Sequence, residues 1–438
     1  MKLFDSKYFK KLVLASLLLA FVGSTFASYV TAPYNGFEKR PSNSREAQWL
    51  KKKFDEKEAV SLFTPENLKV LEPADFIDMD NLSPASLKAG REAFQQGRVV
   101  IVDSVVGNAT RLGNPPGGKG AVEIAAGITF LDAKIIRLAV ESQFIDYPIA
   151  QILWVSEENY NAVTELLESM EERLTKNPLL SKGIVKAVKN YLKEPRITLM
   201  AQSKLLPVID EGGELTEAKF RNLGAGELIP TIFRSGASDM VNLRKDSLVI
   251  FSNIDFDAHY LDVVAASIEA GDPDLMQVHV PTTASGGSAY RFFENDGSSK
   301  ILPLEEIEVP EEVLKKVKTL NTNTVVLQGS ALDPKNYKGL PIPFEKKQYN
   351  DSILYLPKLS LSDIGKHSEV NSAVAIDNSS EHFFAGSKNT KLLREMGGQE
   401  VRFRIFRWEE RLGTNFSKYI SHKVRTVFTC YQAYKALL

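Results

Sequence analysis

Residues 99–102 are Val-Val-Ile-Val, a run with no polar atom in its side chains. A run of that length suits a strand buried on both faces of a sheet. A loop containing glycines, Gly107–Gly120, comes next. Apolar residues then recur at helical spacing over Phe130–Phe144 (Leu131, Ile135, Leu138). The pattern repeats along the chain. Ile149–Val155 predicts a second strand, Glu157–Leu174 a long amphipathic helix, and Arg196–Met200 a short strand. Leu248–Phe251 predicts a strand and Tyr260–Ala270 the helix after it. Leu275–Val280, Ala289–Phe293 and Thr324–Gln328 predict later strands. Strands alternating with helices imply an α/β fold, doubly wound around a mostly parallel sheet. Ligands of such sheets bind beyond the carboxyl ends of the strands. That rule selects the loops Ser104–Gly120, Ala201–Pro207, Ser252–Asp257 and Ser285–Ser288.

Both ends of the chain depart from this pattern. Residues 1–27 place Lys2, Lys7, Lys10 and Lys11 before an uncharged apolar run, Leu12–Val22, with Thr25-Phe26-Ala27 behind it. That is the three-part layout of a secretory signal peptide. The apolar run is too short for a comfortable permanent span, so the expected product is exported, periplasmic or secreted, with no stable membrane span after cleavage. Residues 28–95 are polar, with helical stretches at Ser44–Lys57 and Ser83–Gln96, and are expected to form a helical N-terminal arm. Residues 96–395 make the catalytic-type domain, and 396–438 a short C-terminal extension. In that extension Val401–Trp408, with its alternation of Arg402, Arg404 and Arg407, is expected to be a strand with a basic face, and Lys418–Leu438 a helix.

Composition narrows the function classes. The 438 residues include 54 Lys and Arg against 55 Asp and Glu, a balance that argues against nucleic-acid binding by bulk charge. One cysteine, Cys430, excludes an internal disulfide framework and a cysteine-rich zinc site. Its apolar-aromatic neighbours suit packing more than a reactive thiolate. The five histidines are scattered without a paired metal-ligand spacing, so core or surface roles are expected. No Gly-x-Ser-x-Gly elbow occurs.

Two segments carry chemistry. Gly107-Asn108-Ala109-Thr110-Arg111-Leu112-Gly113 follows a strand and leads to Lys119. Such a turn presents backbone N–H groups to phosphate oxygens, and a nearby lysine neutralises their charge. A simple surface turn is the competing reading. Ser252-Asn253-Ile254-Asp255 ends a strand. Asp255 there suits Mg²⁺, and equally suits an N-cap or turn; Asp257 is a second ligand or, more simply, an N-cap.

In order, these segments resemble the eukaryotic-type UDP-sugar pyrophosphorylase family. Gly107–Lys119 is similar to its G-x-G-T-x-M/L-G…P-K loop, Thr129–Asp132 to T-F-L-D, and Ser252–Asp255 is identical to S-N-I-D. Gly236 and Asp239 fall at P-G-H-G-D, Gly286-Gly287 and Glu306-Ile307 at the G-G and E-I near the sugar, and Asn321-Thr322-Asn323 at N-T-N. Ser387–Thr390 resembles the late motif whose lysine is Lys388 here. The resemblance covers about residues 96–395. It implies a Rossmann-like nucleotide-diphospho-sugar transferase fold and a reaction of UTP with a sugar 1-phosphate, such as glucose 1-phosphate, giving a UDP-sugar and pyrophosphate. It implies Lys119, Lys388 and Arg111 as the charge-stabilising groups and Mg²⁺ on Asp255. Gly107, Thr110, Gly113, Gln202, Gly236, Asp239, Gly287, Glu306 and Asn323 would contact substrate, with Gln202 reading uracil.

The chain also departs from the family pattern. Ala109 replaces a loop glycine, Val106-Gly107 a glycine pair, and Gly118 the proline beside the lysine, with one residue inserted before it. Ala237 and Ser238 replace the histidine and glycine of P-G-H-G-D. About 43 residues after the domain are too few for the β-helix of larger members. Two further readings therefore stay open: an exported protein that binds a nucleotide, nucleotide sugar or glycan without turnover, and a secreted partner-binding protein.

Overall fold

The computed structural model describes residues 29–32, 38–56, 63–106, 109, 112, 115–193, 196–202, 204–256, 259–281, 287–333, 340, 342–349, 352–367, 369–378 and 390–413. Nine strands form the central sheet: β1 (Tyr29–Thr31), β2 (Phe76–Asp78), β3 (Val99–Ser104), β4 (Ala150–Val155), β5 (Ile197–Ala201), β6 (Leu248–Asn253), β7 (Leu275–Pro281), β8 (Thr319–Gln328) and β9 (Ser372–Ile376). Their order is β1-β5-β4-β3-β6-β8-β7-β9-β2. Six of the eight pairings are parallel, and only β8 runs against its neighbours. The sheet is mostly parallel, as the sequence pattern predicts.

The run at 99–102 explains why this sheet lies inside. Val99 and Ile101 join one apolar cluster, while Val100 and Val102 join another. Alternate side chains point to opposite faces, so both faces of β3 are covered. The first cluster holds the helices α3 (Phe130–Ile145), α4 (Tyr160–Lys176), α5 (Lys182–Leu192) and α6 (Tyr260–Glu269). The second gathers residues of α1 (Arg45–Glu56), the short helix Leu228–Arg234 and the turn Leu361–Lys366. Among the described residues no helix is long and apolar enough to cross a membrane. The expected signal peptide lies outside the described residues.

Helix α3 is buried almost all round, not along one stripe. Thr129 caps it by accepting from the backbone of Asp132, while Asp132 accepts from Thr129, a reciprocal capping box. The T-F-L-D segment therefore starts a helix. Asp132 is further held by the guanidinium of Arg173, at 2.8 and 2.9 Å.

The stretch 28–95 contains both expected helices, α1 and α2 (Pro84–Gln95). It also supplies β1 and β2, the two edge strands of the central sheet. Strands of three residues are too short to show a period, which is why only the helices were legible there. The strand expected at Ala289–Phe293 forms as Ser288–Phe293, but in a separate antiparallel sheet with Ser299–Leu304 and Leu68–Val70.

One expectation is overturned. Val401–Trp408 is no strand; it lies within α7 (Thr390–Arg411). Leu393, Met396, Val401 and Trp408 are buried at spacings that fit a helix, and the R-F-R-I-F-R alternation is incidental. There is no exposed basic face either. Arg404 is buried against Glu400 at 3.0 Å, and Arg407 reaches the buried His259 at 2.8 Å. The helix approaches so closely that a methyl on Gly397 would stand 2.0 Å from the carbonyl oxygen of Ile124. Lys418–Leu438 and Cys430 lie outside the described residues.

Two described histidines, His259 and His279, are buried. His259 stands at the N-cap position of α6, the place expected of Asp257, with no side-chain bond to the helix end, and contacts Glu141 at 2.8 Å and Arg137 at 3.0 Å. Asp257 itself lies outside the described residues. His279 is buried between Gln277 and Thr319. Burial lowers its pKa to about 3. The unfolded chain, with an ordinary histidine, takes up that proton first, near pH 6.5. Stability is therefore full above pH 6.5 and falls as the pH drops toward 3, by up to about 1.4 kcal/mol per pH unit. Urea titrations at pH 7 and pH 5 should show this loss, and His279→Gln should reduce it. An unchanged slope in the variant would remove His279 as the cause.

Candidate functional site

The site is built where the strand rule places it. β3, β4, β5 and β6 end on one edge of the sheet, and antiparallel β8 begins there, so Ser104, Gln202, Asn253 and Asn321 gather from distant parts of the chain. Beyond β3 the backbone returns through the turn Gly118–Ala121. Gly118 has φ +60°, a left-handed conformation that glycine adopts without strain. A methyl on Gly120 would meet Val105 at 2.6 Å. The turn is thus pressed against the end of β3, and it carries Lys119.

Lys119 Nζ stands 2.5 Å from Asp255 Oδ2, across 136 residues of sequence. The Asp255 side chain is 2% exposed and that of Lys119 is 19% exposed. Such a pair exchanges water for mutual attraction and is costly to break one-sidedly. An ammonium and a carboxylate in contact can part to serve two partners: phosphate oxygens for the lysine, a hard cation for the aspartate.

A buried set beneath the pair fixes the Asp255 turn. Lys134 Nζ donates to Ser252 Oγ at 2.8 Å and to the carbonyl oxygen of Phe256, and pairs with Asp103 at 3.1 Å. Ser252 in turn donates to Asp103, and Gln151 donates to the other oxygen of Asp103 at 2.7 Å. Lys134 and Asp103 are both essentially inaccessible. The sequence reading missed this set. Its one signal is a lysine inside an apolar helix, at a position that a purely amphipathic helix would leave apolar.

At this edge of the sheet opens a cleft of about 240 Å³, whose lining includes Ser252 and Asn253 of the S-N-I-D segment but not Lys119, Asp255 or Gln202. It is lined by Ser104, Asn253, Asn321, Asn323, Glu305 and Lys358, over a floor that includes Trp154 and Phe251. Asn323 has φ +60° and sits where β8 bulges against β7. Gly287 lies at the rim, where a methyl would be 3.6 Å from Glu305 Oε2. Of the E-E-I segment it is Glu305 that lines the cleft, with Glu306 starting the next turn. Lys358, which no motif marks, pairs with Glu305 at 3.1 Å. Burial disfavours its ammonium, but the carboxylates of Glu305, Glu345 and Glu306 outweigh this and raise its pKa above that of an ordinary lysine.

The other expected residues divide as follows. Gln202 is buried directly after β5, with its N–H bonded to the Val155 carbonyl. Gly236 and Asp239 sit on a one-turn helix, with Asp239 exposed and neither among the residues lining the cleft. Gly107, Thr110, Arg111, Gly113 and Lys388 lie outside the described residues. Ala109 is described and has φ +49°. Its methyl packs against the apolar core, and its carbonyl accepts from the N–H of Leu112 at 2.7 Å.

Among the described residues no group of three or more His, Cys, Asp and Glu side chains converges to hold an ion alone. A lone carboxylate still fits Mg²⁺, which keeps several waters and uses one or two carboxylates plus substrate phosphates.

No family model matches the chain, and no curated protein matches it by sequence. Solved structures do match in fold. UDP-glucose pyrophosphorylase from Leishmania major superposes with a TM-score of 0.57 at 15% identity, covering 75% of this chain and 71% of that one. A UDP-glucose phosphorylase from Trypanosoma brucei gives 0.53 at 15% identity, covering 85% and 72%. An Entamoeba histolytica protein assigned as a UDP-N-acetylglucosamine pyrophosphorylase gives 0.55 at 14% identity, covering 73% and 82%. The chain has the fold of the UDP-sugar pyrophosphorylases.

Proposed function

We propose that the protein is a uridylyltransferase that joins UTP and a sugar 1-phosphate into a UDP-sugar. The observation that carries this reading is the contact of Lys119 and Asp255 at the carboxyl edge of the sheet, the edge at which a cleft lined in part by Ser104, Asn253, Asn321 and Asn323 opens. The fold shared with UDP-sugar pyrophosphorylases supports it. In the reaction, a phosphate oxygen of the sugar 1-phosphate attacks the α-phosphorus of UTP. The bond from that phosphorus to the bridging oxygen breaks, and pyrophosphate leaves with the electron pair. The attacking oxygen is already anionic, so no proton has to move and no general base is needed.

The chemistry therefore asks for positive charge and donors around crowded phosphate oxygens. Lys119 supplies an ammonium to them, while Asn253, Asn321 and Asn323 offer amide donors and acceptors. Gln202 is suited to the imide edge of uracil. Asp255 would hold Mg²⁺, which when bound neutralises phosphate charge. Lys388 and Arg111 are assigned the same charge-stabilising task, on their sequence motifs. The protein acts after export, on the strength of its N-terminal residues, so UTP must reach it at its destination.

The test is to incubate the mature protein with UTP, glucose 1-phosphate and Mg²⁺ and to measure pyrophosphate. Release above a protein-free control is expected. A second reading, binding without turnover, draws on the replaced loop glycines. It predicts no pyrophosphate, but a raised melting temperature with UDP-glucose. A protein that shows neither response is no nucleotide-sugar protein at all.

A further inference from the structure

We propose that the shallow groove along α5 binds a linear acidic polysaccharide, held by Lys182, Lys186, Lys189 and Lys193. Helices α4 and α5 pack on the first apolar cluster, and none of their residues lines the cleft. This surface is therefore independent of the uridylyltransferase reading.

The four lysines stand at i, i+4, i+7 and i+11. At about 100° per residue they fall within about 60° of arc, and at about 1.5 Å of rise they span about 16 Å of the helix. Lys193, just past the last turn, keeps helical backbone angles. The opposite face, with Ile184, Ala187, Val188, Tyr191 and Leu192, is buried. Lys182, Lys186 and Lys193 are exposed and Lys189 is half-buried.

Folding stability gives no reason for this stripe. On other helices a lysine faces a carboxylate four residues away, as in Lys51–Asp55, Lys88–Glu92 and Lys315–Glu311. Helix α5 contains no acidic residue. Among the described residues no carboxylate pairs with any of the four lysines. Glu172, near the end of α4, is taken by Lys176 at 2.6 Å. Like charges three and four residues apart destabilise a helix, and Lys182 at its first position opposes the macrodipole. A bound polyanion removes both costs.

The rest of the lining selects the polyanion. The groove, of about 470 Å³, runs between the end of α4 and α5 over Leu180 and Val185. It holds no aromatic ring on which a nucleobase could stack, and no arginine to grip a phosphate in two places. No large apolar side chain of α5 is exposed to enter a lipid layer. Asn190 accepts from Lys193 through its amide oxygen at 3.3 Å and keeps its amide N–H groups. Thr175 donates its hydroxyl to the Glu171 carbonyl and keeps its oxygen lone pairs. That donor and that acceptor suit sugar hydroxyls, while a row of ammonium groups suits carboxylates repeated along a chain.

Binding of the full mature protein to immobilised polygalacturonate, measured by biolayer interferometry over a salt series, tests this. The wild type should bind, with the logarithm of affinity falling linearly against that of salt. The fully methyl-esterified chain, which lacks the carboxylates, should not bind. Lys186→Gln with Lys189→Gln should weaken binding by about tenfold or more at low salt and flatten the salt slope. Urea titration should find that variant no less stable than the wild type, since like-charged neighbours are gone. Lys52→Gln with Lys88→Gln removes the same charge from other helices and should leave affinity within about twofold. Equal losses in the two double variants would assign binding to net charge and overturn the proposal, as would a wild type that does not bind or that binds the esterified chain equally well. Equal or tighter binding to phosphatidylglycerol vesicles or to oligothymidylate would give the stripe to a lipid surface or a nucleic acid, and overturns it too.

Discussion

Lys119→Ala is expected to lower turnover by about 10²- to 10³-fold, the usual cost of losing one preorganised donor to a charged transition state. The ammonium sits on a turn pressed against β3, 2.5 Å from Asp255 Oδ2. The same change leaves Asp255, 2% exposed, without its ammonium, so stability should also fall by about 1–3 kcal/mol. The two effects are separable. Lys119→Arg keeps a cation on Asp255 and should restore most of the stability, yet recover turnover only in part, because a planar guanidinium cannot place its charge where the ammonium did. Steady-state pyrophosphate release and urea titration measure the two effects. Normal turnover in Lys119→Ala would take the residue out of the chemistry.

Lys134→Met is expected to cost about 3–5 kcal/mol of stability, since it strands the charge of Asp103 in the core. Lys134 also holds Ser252 and the carbonyl of Phe256, the two flanks of the turn that bears Asp255. Turnover should therefore fall in any Lys134→Met protein that still folds, although Lys134 touches no substrate. The double variant Asp103→Asn with Lys134→Met should regain part of the stability, because the uncompensated charge is gone. A coupling near zero between the two positions, measured from urea midpoints, would show that the pair does not act as a unit.

Much of the fold was legible because burial leaves a mark on composition. β3, β4, β5, β6 and β7 are mostly apolar strands of five to seven residues, and the sequence placed each within a residue or two of its observed bounds. The edge strands β1 and β2 left no such mark, being three residues long. The R-F-R alternation in α7 gave a false one. Two arginines there point inward to Glu400 and His259, so a pattern that looked like one wet face is partly interior. Periodicity records which residues are polar and says nothing of whether a polar residue has found a buried partner.

The candidate site divides along the same line. Lys119 and Asp255 stood out because each follows the end of a strand within a recognisable order of short motifs. In the E-E-I segment Glu305 lines the cleft while Glu306, the residue expected to contact substrate, opens the next turn; two registers were open and only the packing of the turn selects which glutamate faces the cleft. Lys358 and Lys134 were invisible. Their partners lie 53 and 31 residues away, and neither stands in a motif. The sequence by itself determined the alternation of strands and helices that layers the molecule, because apolar runs and their spacing are local properties. Only the tertiary structure decided which charges meet there, because an ion pair depends on the distance between two side chains, and that distance is set by the packing of everything between them.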